Sequence, residues 1–212
     1  EGDVVSTQTD DITVAAGKTE TISQSVDVAN PKLWSVDSPN LYWVRTEIIQ
    51  NGKVVDRTDS RFGIRYIATN PNSGFYLNGV HTKLNGVCEH SDLGSLGMET
   101  YQAAVDRRIR TLKKYGVNAI RTSHNPVSPE FIEACDRLGM LVFEEAFDQW
   151  LYSKNSDDYH NYFNKAADGK TVVFDKAGND NTNNDTSYIE VKREDLQSNA
   201  ERDIKAMVDR DK

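Results

Sequence analysis

The chain is poor in cysteine, methionine and proline, with two, three and five of them among 212 residues, and it carries no excess of positive charge. Each shortage excludes something. Cys88 and Cys135 fall in segments that read as a strand and a helix, so a disulfide framework is not expected and both are read as packed free thiols. No run approaches the ~18 apolar residues of a membrane-crossing helix. The opening Glu1-Gly2-Asp3-Val4 has neither the basic head nor the apolar core of a signal peptide, so no targeting segment is expected and the compartment stays open, whether periplasmic, secreted or cytoplasmic. The net charge of -8 disfavours nucleic acid and anionic membranes, whose phosphates call for clustered Lys and Arg. A neutral partner fits this surface better.

What is present describes a soluble globular chain, 37% hydrophobic and 27% charged, long enough for one ordinary domain or two small ones. Residues 1–67 alternate with a period of two, in Ile12-Thr13-Val14, in Thr19 to Val26 and in Leu41 to Ile49, which predicts strands with one face buried. Asn51-Gly52 lies between Ile48-Ile49 and Val54-Val55 and predicts a two-residue hairpin turn, since both positions tolerate positive φ. This region reads as the C-terminal part of an immunoglobulin-like β-sandwich, with four or five strands where about seven are needed.

From about residue 75, in the region 68–212, the pattern becomes strand then helix. Thr100 to Tyr115 lines up Ala104, Val105, Ile109 and Leu112, closes on Lys113-Lys114 and stops at Gly116. Ser128-Pro129-Glu130 reads as N-cap, first-position proline and first-turn acid of a second helix whose buried stripe is Phe131, Ile132, Cys135 and Leu138, ending at Gly139. Apolar strands alternate with these helices, which predicts parallel βαβ units over 68–212, and about three units fit. The fold class is therefore α+β multidomain, a partial sandwich followed by the first three βα units of an eight-unit barrel. Residues 154–187 form a polar insertion in which Asn179 to Asp185, with Glu190 at the twelfth place, lacks the central glycine of a calcium loop. Asn184-Asp185-Thr186 is a glycosylation sequon in form. Leu196, Ala200, Ile204, Met207 and Val208 predict the stripe of a final helix.

Barrel chemistry gathers at the C-terminal ends of the strands. Three strand ends here carry polar groups: Glu89-His90, Arg121 to Asn125, and Glu144-Glu145 on to Asp148 and Trp150. A single histidine after a strand is ordinarily a loop hydrogen-bonder, a strand-end arginine a structural ion pair, and a tryptophan a packing residue; the repetition on one rim favours a site. Glu144 and Glu145 cannot be the facing pair of carboxyls a glycosidase needs, because neighbouring strand residues point to opposite faces. No Gly-x-Ser-x-Gly elbow supports a Ser-His-Asp triad, and no His-Glu-x-x-His or paired Cys-x-x-Cys spacing supports a metal.

Phe75 to Gly79, Leu84 to His90, Gly116-Val117-Asn118-Ala119-Ile120-Arg121-Thr122-Ser123-His124-Asn125-Pro126, Cys135 to Val142 and Glu145 to Asp148 together resemble the start of the barrel of glycoside hydrolase family 2. Asn30 to Tyr42 and Arg61 to Arg65 resemble the end of the sandwich that precedes it. The resemblance implies retaining, exo-acting hydrolysis of a β-glycosidic bond, with a β-galactosidase expected first and a β-glucuronidase or β-mannosidase next. It places the acid/base Glu after the fourth barrel strand and the nucleophile Glu after the seventh, both beyond Lys212, so no catalytic residue is expected within the chain and the chain alone is expected to be inactive. His90, Arg121, His124, Asn125, Glu145, Asp148 and Trp150 become the expected carbohydrate-binding residues, His90 and His124 on sugar hydroxyls and Arg121 beside the nucleophile. The family's opening motif reads Gly-Val-Asn-Arg-His-Glu, and this chain departs from it at Cys88, Glu89 and Ser91. No cofactor and no metal are expected, since counterparts of the magnesium ligands of some β-galactosidases are missing after Ala146. A noncatalytic glycan-binding or scaffold protein is the competing reading. The edges of an unclosed sheet would favour a homo-oligomer.

Overall fold

The computed structural model describes residues 2–147, 172–175, 188–191 and 193–211. In the first part, β1 (Tyr42–Gln50) and β2 (Lys53–Phe62) pair antiparallel and close on Gln50 opposite Lys53. The turn forms as its sequence predicts, with Asn51 at φ 53° and Gly52 at φ 77°, the left-handed pair whose twist matches that of the flanking strands. Ile48 pairs with Asp56 but Ile49 with Val54, so Val55 is an extra residue in β2 and the ladder bulges there. Arg45 Nε donates to Asp59 Oδ1 at 2.9 Å across the pair.

The strands expected at Ile12–Val14 and Thr19–Val26 do not form: both segments lack regular structure, and Ile12, Val14, Ile22 and Val26 are exposed. An alternating strand is stable when its apolar row faces a second layer, and among the described residues no element covers this one. The β1–β2 hairpin shows the same lack of cover, since Trp43, Ile48, Ile49, Val54 and Val55 are all exposed. The expected sandwich over 1–67 is represented by one hairpin.

The second part opens with a small antiparallel meander, β3 (Ile67–Asn70), β4 (Gly74–Leu77) and β5 (Val80–His81). A parallel sheet follows, in which β6 (Gly86–Glu89), β7 (Ala119–Thr122) and β8 (Leu141–Phe143) lie side by side in chain order. Helices α1 (Gln102–Lys114) and α2 (Pro129–Leu138) cross between them, and a short 3-10 turn occupies Gly94–Leu96. The capping chemistry of α2 is as its sequence predicts: Ser128 Oγ accepts from Phe131 N at 3.3 Å, Pro129 holds the first turn, and Gly139 ends the helix at φ 75°.

One core holds the βα part together. Val105 and Ile109 of α1 pack with Phe131, Ala134 and Cys135 of α2, Ile120 of β7, Val127 and Met140. The expected stripe members Leu112, Ile132 and Leu138 are partly buried at its margin. Cys135 is buried, as a packed thiol should be, and burial pushes its pKa up. Cys88 departs from the expectation. It is exposed, because the outward face of β6 at the end of the sheet has no covering layer among the described residues.

The two parts meet in a tight joint around Trp34, which is 1% exposed. Its indole Nε1 donates to Asp136 O at 2.8 Å, its carbonyl accepts from Asn78 Nδ2 at 2.9 Å, and the Arg65 guanidinium lies 4.7 Å from its ring centroid. A Cβ on Gly63 would stand 2.9 Å from that of Trp34, so the chain must have glycine there. Alongside, Lys113 Nζ donates to Val36 O and Leu138 O at 2.6 Å each and to Gly139 O at 3.0 Å. One ammonium therefore ties the linker to the last carbonyls of α2. Arg61 adds an ion pair with Glu133.

Farther along, β9 (Val172–Asp175) and β10 (Tyr188–Val191) pair antiparallel, and α3 spans Arg193–Asp211. The strand β9 lies inside the insertion read as polar, at Val172-Val173-Phe174, whose residue types suit a strand. The calcium-like run at 179–185 and the sequon lie outside the described residues. The predicted stripe of the last helix is only slightly covered: Ile204 and Val208 are exposed and Met207 half-buried. No helix of the described residues is long and apolar enough to cross a membrane.

Candidate functional site

The parallel register fixes where each strand stops. Glu89 of β6 is level with Thr122 of β7, and Arg121 of β7 with Phe143 of β8, so the residues that follow leave the sheet at one rim. His90, Ser123-His124 and Glu144-Glu145 emerge there. The rim is stitched by two bonds: Ser123 N donates to Glu89 O at 2.8 Å, and Glu145 N donates to the buried Thr122 Oγ1 at 3.0 Å. The Ser123–His124 peptide is cis.

Glu145 is the centre of this rim. One carboxylate oxygen accepts from Arg121 Nη2, and the other lies 3.0 Å from His124 Nδ1. Arg121 Nη1 reaches Ser123 Oγ at 3.3 Å and Cys88 Sγ at 3.5 Å. The rings of His90 and His124 meet edge to face, 5.4 Å between centroids. Partial desolvation works to raise the Glu145 carboxyl, but hydrogen bonds from Arg121 and His124 and the charge of Arg121 outweigh it and hold the group below its usual range. An ionised carboxylate only accepts, so His124 Nδ1 carries the hydrogen in that bond and the tautomer is set.

Glu144, one residue away, looks into different surroundings. Its Oε1 accepts from Val127 N at 3.0 Å and from Arg210 Nη2 at 3.1 Å. Burial, together with a hydrogen bond to Asp211, pushes its pKa up to about 7. Only Glu145 joins the rim cluster, although both residues lie just beyond the end of β8.

The structure thus brings together His90, Arg121, His124 and Glu145, and it leaves Asn125 exposed on the adjacent loop. Asp148 and Trp150 lie outside the described residues. Sequence reasoning placed Thr122 and Ser123 on the polar strand end without giving them a role, and it missed Arg108. Arg108 follows Val105 by three and precedes Ile109, which sets it beside the buried stripe of α1, and its guanidinium pairs with Glu89 Oε2 at 3.2 Å. A cation set between two positions of an apolar stripe was the available signal, because a group at the margin of a core needs an acidic partner. Among the described residues no group of three or more His, Cys, Asp or Glu is arranged to hold a metal.

Comparison with known proteins agrees with this architecture. Residues 1–65 match glycosyl hydrolases family 2, and residues 69–212 match the TIM barrel domain of the same family. A β-galactosidase, BoGH2A, of Bacteroides ovatus is 44% identical over 150 residues, covering 71% of this chain and 18% of its own length. A putative β-glucuronidase of Formosa agariphila is 43% identical over 137 residues, 65% of this chain and 13% of that protein. Among solved structures, a glycosyl hydrolase family 2 member from Bacteroides cellulosilyticus superposes with a TM-score of 0.60 at 48% identity, covering 66% of this chain and 18% of the other. A Parabacteroides merdae β-glucuronidase superposes with a TM-score of 0.56 at 30% identity, covering 66% of this chain and 17% of the other. The chain spans less than a fifth of the length of these relatives. With an immunoglobulin-like segment leading into the start of a TIM barrel and both parts matched, the chain belongs to glycosyl hydrolases family 2.

Proposed function

We propose that this chain, divided near residue 67, supplies part of the sugar-binding wall of a retaining exo-β-glycosidase, with a terminal β-galactoside as the first substrate. The observation that carries the reading is the rim cluster. A carboxylate held ionised, a guanidinium and a histidine of fixed tautomer stand together at the C-terminal ends of consecutive parallel strands, where barrel enzymes bind their substrates. Such groups hydrogen-bond hydroxyls and place positive charge beside a carboxylate nucleophile, which favours its ionised form. His90 and His124 take sugar hydroxyls, Arg121 faces the nucleophile's position, and Asn125, Asp148 and Trp150 extend the wall. Glu145 holds Arg121 and His124 in place.

The reacting acid/base and nucleophile carboxylates come from outside these 212 residues. The Bacteroides ovatus relative supports a galactoside, and the Formosa and Parabacteroides relatives support a glucuronide as the second choice. A panel of chromogenic β-galactoside, β-glucuronide and β-mannoside, given to the chain and to the full-length protein, tests this. Turnover is expected only with the full-length protein, fastest on the galactoside. Turnover by the chain alone would show that it contains reacting carboxylates, and sugar binding without turnover by the full-length protein would leave a glycan-binding scaffold. In the full-length protein, His124→Ala is expected to lower kcat/KM by at least roughly tenfold with the fold retained, and an unchanged kcat/KM removes its assigned role.

A further inference from the structure

The loop that carries His90 is turned on itself only from Leu93 onward, where Leu93 N donates to Gly97 O at 2.8 Å, and Ser91 and Leu93 are half-buried. His90, Asp92 and residues 94–97 are exposed, and the backbone ties the loop to the sheet through Glu89 O at one end. From the side of α1, Arg108 reaches this loop at three places. Its guanidinium pairs with Glu89 Oε2 at 3.2 Å, donates to His90 O at 3.4 Å through the same nitrogen, and donates to Asp92 O at 2.5 Å through the other. The base of Arg108 is itself anchored, because its helix is fixed by the buried Val105 and Ile109 on either side. A planar fork on a rigid helix that grips a carboxylate and two carbonyls of one short loop narrows the paths its backbone can take. The path decides where the His90 ring stands, and that ring closes edge to face on His124.

We propose that Arg108 is a positioning residue for sugar binding, acting through His90 by fixing the 89–92 loop. The proposal rests on the reading of the rim as a sugar site. Arg108 touches the rim cluster only at the His90 backbone carbonyl, so its effect on the cluster's side chains passes through the loop. Glu89, where the family's opening motif has arginine, takes part as the acid that Arg108 grips.

The test uses the full-length protein with Arg108→Ala and the charge-retaining Arg108→Lys, each in the wild-type and the His90→Ala background. Two readouts are taken: the side-chain NMR signal of His90, and KM against kcat for the preferred β-glycoside. Arg108→Ala is expected to shift the His90 signal, to raise KM roughly tenfold and to change kcat less than about threefold; Arg108→Lys, which keeps the charge but not the fork, shows the same pattern in weaker form. In the His90→Ala background neither substitution raises KM further, because residues acting as one unit are not additive. An unmoved His90 signal overturns the proposal, as does a KM rise of equal size without His90. If the wild-type protein cleaves no β-glycoside, the functional reading fails while the His90 signal still decides the role of Arg108.

Discussion

Glu144 and Glu145 are chemically identical neighbours just past the end of β8 that meet different partners, and their titration is driven apart. Glu145 lies below its usual range, so the stability its charge supplies is present above the ordinary carboxyl value and is lost as pH falls through the lower, folded one. For Glu144 the sign is reversed. Its pKa rises to about 7, so the stability conferred by its bound proton is complete below the ordinary carboxyl value and disappears as pH rises through about 7. Glu144→Gln, which imitates the protonated form, is therefore expected to gain in melting temperature relative to wild type between pH 5 and pH 8. Glu145→Gln should instead lose most at neutral pH and approach wild type in acid. Thermal unfolding of both variants from about pH 3 to about pH 8 checks the pair, Glu144→Gln in the upper part of that range and Glu145→Gln below the ordinary carboxyl value; curves parallel to wild type throughout would show that neither charge matters to stability.

At the level of elements, local chemistry was legible wherever it was self-contained. The Asn51-Gly52 turn, the Ser128 cap and the Gly139 stop each need only a few adjacent residues to define them, and each stands where the sequence places it. Replacing Ser128 by Ala should cost about 1 kcal/mol, the usual value of a lost N-cap, readable as a lower denaturant midpoint at unchanged slope. The strands expected at 12–14 and 19–26 were not legible in the same way. Their alternation states what a strand would bury but not whether a partner layer is there to bury it, and none is among the described residues. The stripe of α3 fails for the same reason, with Ile204 and Val208 facing outward. The rim followed a middle course. Strand ends located His90, Arg121, His124 and Glu145, while Arg108 reaches His90 from a helix 18 residues along the chain, a distance that periodicity does not report.

At the level of the whole molecule, the parallel sheet of β6, β7 and β8 has two free edges among the described residues, with Phe143 on β8 70% exposed. Unpaired strand edges of this kind recruit other chains. The 212-residue chain by itself should therefore associate as its concentration rises, which light scattering would detect; a monomer that persists at high concentration would count against the exposed edges as the cause. The joint at Trp34 is the other property of this scale. Trp34→Ala is expected to cost about 3–5 kcal/mol, as large core truncations do, and to open the region around residues 30–66 to limited proteolysis before the βα core yields.

That joint also has a mechanical meaning. A pull applied through the hairpin reaches the barrel side through the Trp34 indole on Asp136, the Lys113 ammonium on Val36 and the Arg61 pair with Glu133, three ties that take the load side by side. Ties loaded in parallel share tension and fail together, whereas ties in series peel one after another. Stretched from its two ends in a force-extension measurement, the molecule is expected to give way at this seam in one abrupt event; stepwise rupture would show the ties loaded in series.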